Sequence, residues 1–146
     1  MDKQNYMINI EAIDRKGNIE KFDVSTEEFQ LNKYPGKRYE IRTNGYVGWK
    51  HYEFIILFID DNRILIYRVV NNDVPELTGK GITKAMIESI RKEYNMVIIS
   101  STRLDNKKID VTEGRIDTVS RYWKKWTSEN PKIIYISSED RFIYNL

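Results

Sequence analysis

Ile64-Leu65-Ile66-Tyr67-Arg68-Val69-Val70, then Val74-Pro75-Glu76-Leu77-Thr78-Gly79-Lys80-Gly81-Ile82-Thr83, then the run to Met96-Val97-Ile98-Ile99, is the stretch that decides the fold. Arg63 to Val70 is apolar on both faces except at Arg68, the pattern of a strand covered on both sides. After Pro75 the period changes. Ile82, Met86, Ile87, Ile90 and Tyr94 recur at helical spacing, with Lys84, Glu88, Arg91 and Lys92 on the other side. Asn95 can end this helix, and Met96 to Ile99 is a short continuous apolar strand of the kind buried in a parallel sheet. The unit predicts an α/β chain in which two parallel strands flank the 80–94 helix.

Upstream, the pattern is strand-rich. Tyr6, Ile8, Ile10 and Ala12 alternate with polar neighbours, Arg15-Lys16-Gly17-Asn18 is a turn, and Ile19 to Val24 returns as a hairpin arm. Ser25 with Glu28 three residues on is a capping box, so a short helix is expected there, ending before Pro35-Gly36. Tyr39, Ile41 and Thr43 alternate with Arg38, Glu40 and Arg42 in a strand with one charged face, and Asn44-Gly45 is a turn signal. Tyr52 to Ile59 is apolar on both faces and reads as a central strand, turned at Asp60-Asp61-Asn62. Downstream, Ser100 to Asp110 is polar and reads as a loop. Asp110 with Glu113, or Thr112, is the expected start of a second helix, with Ile116, Val119, Trp123 and Trp126 on one face. Pro131 ends it. Ile133 to Ile136 and Arg141 to Tyr144 form a last strand pair around Ser137-Ser138-Glu139-Asp140. Neither repeat nor linker divides the chain, so one domain over 1–146 with a strand-rich part at 1–50 and a mixed, mostly antiparallel central sheet is expected.

Composition narrows the chemistry. The 146 residues suit one core, and 40% hydrophobic with 32% charged residues is a globular balance. Without cysteine there is no disulfide, zinc-thiolate site or cysteine nucleophile, and His51 is the single histidine, which excludes a His-rich metal site. A Ser-His-Asp triad would have to use His51, which reads more simply as a strand residue or a solvated imidazole. The formal charge of +2 neither demands nor excludes a nucleic acid. No apolar run reaches the roughly 18 residues that span a bilayer. The polar start at Met1-Asp2-Lys3-Gln4-Asn5 lacks a signal peptide, so no membrane and a cytoplasmic location are the expectations.

The turn before the helix can carry chemistry. A glycine-rich turn leading into a helix exposes unpaired backbone N–H groups where the helix dipole is positive, which suits phosphate or pyrophosphate. Gly79 and Gly81 let the backbone approach a ligand closely, and Lys80 could add charge or point into water. The turn is neither a Walker P-loop nor a complete dinucleotide fingerprint.

Val74 to Ile87 resembles the block of the GNAT superfamily of N-acetyltransferases in which a strand, a V-x-P-like approach and Arg/Gln-x-x-Gly-x-Gly/Ala lead into a helix. Thr78 stands at the Arg/Gln position, Gly81 at the central glycine and Thr83 at the final Gly/Ala position. The resemblance implies acetyl-CoA as acyl donor. Its pyrophosphate would be held by the amides of Thr78, Gly79, Lys80, Gly81, Ile82 and Thr83. Its pantetheine arm would pair with the strand end at Val69, Val70 and Asn71. The second similar block is Tyr122-Trp123-Lys124-Lys125-Trp126, where the family's tyrosine acts as general acid. The apolar face aligns Trp123 with that tyrosine, and a shift of one residue aligns Tyr122. Short phage-encoded GNAT-like proteins with a tryptophan in this block are similar. The chain departs from the family at Thr78 and Thr83, and in lacking the two helices that normally follow the first strand.

The resemblance therefore implies an N-acyltransferase acting on an amine that the sequence does not identify. Tyr122 would be the acid, and Glu53 or Glu40 a base acting through a water. Each has a plainer reading as a core aromatic or an ordinary paired carboxylate. Ser100 and Ser101, at the C-terminal end of a parallel strand, are either ligand contacts or loop caps. Trp49, Tyr46 and Tyr52 form either an aromatic wall or sheet packing. Arg121, Lys124 and Lys125 beside Trp123 are compatible with nucleic acid, or with a solvated helix face. The reading from another class is a GNAT-like fold without catalysis that serves as a binding module, such as a phage protein engaging a host or virion partner.

Overall fold

The computed structural model describes residues 6–41, 51–71, 77 and 79–146. In chain order the elements are β1 (Tyr6–Ile13), β2 (Ile19–Leu31), β3 (Tyr34–Ile41), β4 (Tyr52–Phe58), β5 (Arg63–Asn71), α1 (Ile82–Tyr94), β6 (Val97–Ser100), α2 (Asp117–Glu129), β7 (Ile133–Ile136) and β8 (Arg141–Tyr144). A single 3₁₀ turn at Asp105–Lys107 interrupts the loop between β6 and α2. Among the described residues eight strands form one sheet in the order β1-β2-β3-β4-β5-β6-β8-β7. The fold is α/β with a mixed, mostly antiparallel sheet. β5 and β6 pair in parallel from Arg63↔Val97 to Ile66↔Ser100, and the other neighbours are antiparallel.

The two-sided apolar patterns of β4 and β5 follow from burial on both faces. Tyr52, Phe54, Ile56, Ile64 and Ile66 join Ile82, Met86, Ile87 and Ile90 of α1 and Val119, Trp123 and Trp126 of α2 in the larger core layer. Ile55, Leu57, Leu65 and Tyr67 join Ile99, with Phe29, Leu31 and Ile109 against them, on the opposite face. Because successive strand residues point to opposite faces, one strand feeds both layers. Trp123 is buried, stacked on Phe142 with ring centroids 5.7 Å apart and edge-on to Trp126 at 5.1 Å. Such rings contribute large buried area together with favourable ring geometry.

Three local expectations are corrected. The Ser25–Glu28 stretch is not a helix but the middle of β2, where Ser25 pairs with Met7 on one side and Glu40 on the other. Phe22, Val24 and Thr26 are buried alternately along it. A strand hydrogen-bonded on both edges and packed at period 2 outweighs one capping signal. Nor does Pro35-Gly36 stand, as expected, beyond the end of a helix. The chain reverses at Asn32-Lys33, with Asn32 at φ 53°, and Pro35 and Gly36 lie in β3. A Cβ on Gly36 would lie 2.0 Å from the Ile56 carbonyl oxygen, so glycine there allows β3 to close on β4.

Thirdly, α2 starts at Asp117 rather than near Asp110 or Glu113. Glu113 is buried and pairs with Arg141 at 2.8 Å, and it accepts the backbone N–H groups of Ile109 at 2.5 Å and Thr102 at 3.3 Å. Arg115 is buried too, bonded to the Ser101 carbonyl, Ser120 and both the carbonyl and carboxylate of Asp140. Buried charges need such partners. These two clamps hold the 101–116 loop against the end of β6, and the Tyr67 hydroxyl adds a bond to Thr112 from the opposite face.

Candidate functional site

The apolar stripe of α1 sets its direction and places its first turn at the C-terminal end of β5, where α/β sites commonly lie. Gly81 caps this end in the left-handed region at φ 76°, with no side-chain cap bond and no acidic residue in the first turn. The start of α1 therefore keeps the partial positive charge of its dipole without a carboxylate of its own to offset it. The register between β5 and β6 ends at Ile66 and Ser100, whereas β5 runs on to Asn71 against β4.

The turn residues divide by what they touch. A Cβ on Gly81 would lie 2.2 Å from the carbonyl oxygen of Ile13 at the end of β1. The absence of a side chain at Gly81 is thus required by strand packing, where the sequence suggests a ligand. Gly79, at φ 71°, has nothing within 4 Å of an added Cβ and faces open space. Lys80 reaches Glu20 of β2 at 3.2 Å, an exposed pair of small energetic weight. Ile82 is buried in the core. Thr83 shares a 2.6 Å hydroxyl–hydroxyl bond with Tyr52. Val69 packs against the larger core layer, Val70 is half-buried and Asn71 is exposed. Thr78, Tyr46 and Trp49 lie outside the described residues.

Tyr52 connects the start of α1 to α2. It is buried, and burial pushes its phenol well above the ordinary range; the Thr83 bond opposes this and the Tyr122 phenol adds to it. Tyr122 is half-buried and stacked on Trp126, with centroids 6.1 Å apart. The structure thus ties Tyr52 to Thr83 and leaves the Tyr122 phenol within electrostatic reach of Tyr52, while Trp123 fills the core. Of the two registers open for the aromatic block, only the one at Tyr122 supplies a hydroxyl.

Glu53 follows Tyr52 in β4, so it lies on the opposite face of the sheet. Its Oε2 accepts from Arg38 Nε at 2.9 Å and Nη2 at 2.6 Å. The same guanidinium reaches Glu40 at 2.9 Å and Glu27 at 3.0 Å. His51 Nε2 stands 3.5 Å from Glu53 and 4.0 Å from Glu40. The sequence reading passed over this Arg38-centred group. Its signal was two i,i+2 pairs, Arg38-x-Glu40 and His51-x-Glu53, each placing two polar side chains on one strand face.

Ser100 and Ser101 are loop ties. Ser100 accepts the Phe142 N–H at 2.9 Å, and Ser101 donates to the Ile66 carbonyl at 2.7 Å where β5 and β6 separate. Arg121 and Lys124 are exposed, and Lys125 lies 3.9 Å from Glu129. Two clefts, of about 600 and 350 Å³, flank α1 against β1 and against α2, the first reaching Ala85 and the second Lys84 in its first turn. No helix among the described residues is long and apolar enough to cross a membrane. No family model, curated protein or solved structure matches the chain.

Proposed function

We propose that the chain is a GNAT-like N-acyltransferase that moves an acyl group, most simply acetyl, from coenzyme A to an amine. The observation that carries the reading is the junction at the end of β5. There a parallel strand pair stops pairing, a helix without a side-chain cap begins, and Tyr52 is bonded to Thr83 with the Tyr122 phenol in electrostatic reach. The open side of Gly79 leaves room for an anion at the turn. Backbone amides of Thr78 to Thr83 would hold the pyrophosphate, and Val69 to Asn71 would pair with the pantetheine arm.

Acetyl-CoA supplies an activated thioester when bound. A backbone N–H near Val70 would polarise its carbonyl. Glu53, through a water, would take the proton from the amine, and the Tyr122 hydroxyl would give one to the departing sulfur. Glu53 and Tyr122 sit on opposite faces of the sheet, so a thioester lying between the parted strand ends would expose one side to each.

The experiment is calorimetry with acetyl-CoA, followed by turnover assays of Tyr122→Phe. Binding is expected in both proteins, with turnover of the variant reduced about a hundredfold. Absence of heat and of thermal stabilisation at saturating acetyl-CoA would remove the reading. A second reading, a GNAT-like binding module without catalysis, is favoured by the engagement of Lys80 with Glu20 and of Glu53 with Arg38. A specific protein partner captured by a chain that does not bind coenzyme A would select it.

A further inference from the structure

We propose that Glu40, His51 and Glu53 form a binding site for one divalent transition-metal ion of the zinc class, on the sheet face opposite α1. The β3–β4 register places Glu40 directly across from Glu53, and His51, two residues before Glu53, shares its face. One ligand atom from each of the three side chains lies within 4.8 Å of the other two. His51 Nε2 is 3.5 Å from Glu53 Oε2 and 4.0 Å from Glu40 Oε2. Donors bound to one ion at about 2.0–2.2 Å stand about 3–4 Å apart, so these separations already suit a shared ion. One imidazole with two carboxylates is a donor set that zinc and its neighbours accept.

The imidazole itself supplies the independent observation. The His51 side chain is 9% exposed, its Nδ1 is buried without a hydrogen-bond partner, and its Nε2 points at the two carboxylates from the outer limit of hydrogen-bonding distance. Nε2, the nitrogen that faces the carboxylates, holds only a contact at the limit of hydrogen-bonding distance, so its lone pair can serve an ion there. Arg38 is a competing cation, with Nη2 on Glu40 Oε1 and Glu53 Oε2, and Glu40 makes a further interaction besides. An ion would have to draw both carboxylates from these partners, leaving Arg38 on Glu27, and a metal-bound Glu53 would not serve as the base of the proposed transfer.

The test is favourable because His51 is the single histidine and there is no cysteine, so no other imidazole or thiolate can bind the ion. The chelator-treated chain is titrated calorimetrically with zinc and, separately, with magnesium. The His51 imidazole is followed by nitrogen-15 NMR. The expected result is saturable one-to-one zinc binding below millimolar concentration, a shift of the His51 ring resonances, and affinity at least about tenfold weaker in His51→Gln and Glu53→Gln. Either no saturable zinc binding to the wild-type chain, or binding that leaves the His51 resonances unmoved, overturns the site, and both readouts stand even if a variant does not fold. Equal affinity for magnesium would also overturn it, since magnesium avoids imidazole.

Discussion

Replacing Gly81 by alanine tests why glycine stands at the start of α1. The residue has φ 76°, and an added Cβ would lie 2.2 Å from the Ile13 carbonyl oxygen. The left-handed backbone costs a non-glycine residue about 1–2 kcal/mol. The clash requires β1 and α1 to separate by about 1 Å to reach ordinary contact, which adds a strain of about 1–2 kcal/mol. Ile13 lies at the exposed end of β1, so that strand end can yield and the strain stays at this level. Gly79→Ala is the matched control, because its φ is 71° and open space surrounds the new Cβ. It carries the backbone cost alone, about 1 kcal/mol. In urea unfolding followed by circular dichroism, Gly81→Ala is expected to lose about 2–4 kcal/mol at unchanged m value, clearly more than Gly79→Ala. Equal losses at the two positions would refute the packing role assigned to Gly81. They would return its explanation to the ligand approach that the sequence suggests.

Glu113→Gln is expected to destabilise the chain by about 3–5 kcal/mol in the same assay, because it leaves Arg141 buried without its counter-charge. A loss under 1 kcal/mol would show that the 101–116 loop does not depend on this clamp. Asp140 predicts a pH dependence. Burial raises its pKa, but hydrogen bonds from Arg115, Tyr135 and the Arg103 N–H outweigh that and hold it down at about 2. A depressed carboxylate stabilises the fold above its unfolded pKa of about 4 and loses that contribution as pH falls towards about 2. The contribution is about 2 kcal/mol, and Asp140→Asn should flatten the stability profile across that window. An unchanged profile would contradict the assignment.

The sequence by itself determined the elements whose signal is local. The period change after Pro75 located α1 and its Asn95 end. The two-sided apolar runs identified β4 and β5 as central strands, and Ser137 to Asp140 marked the last hairpin. These patterns are legible because burial repeats every two or 3.6 residues along the chain. Tertiary structure decided where local and distant preferences compete. The capping box at Ser25 yielded to pairing on both edges of β2, and Glu113 became the partner of Arg141 instead of a helix start. Gly81 proved to face Ile13, a residue 68 positions earlier. The candidate site divides the same way. The turn and the aromatic block were visible as motifs, but only folding bonded Tyr52 to Thr83 and left Trp123 in the core with Tyr122 half-buried. The group around Arg38 and His51 arises only when β3 and β4 align, since strand register is set by packing across the sheet and not by neighbours in sequence.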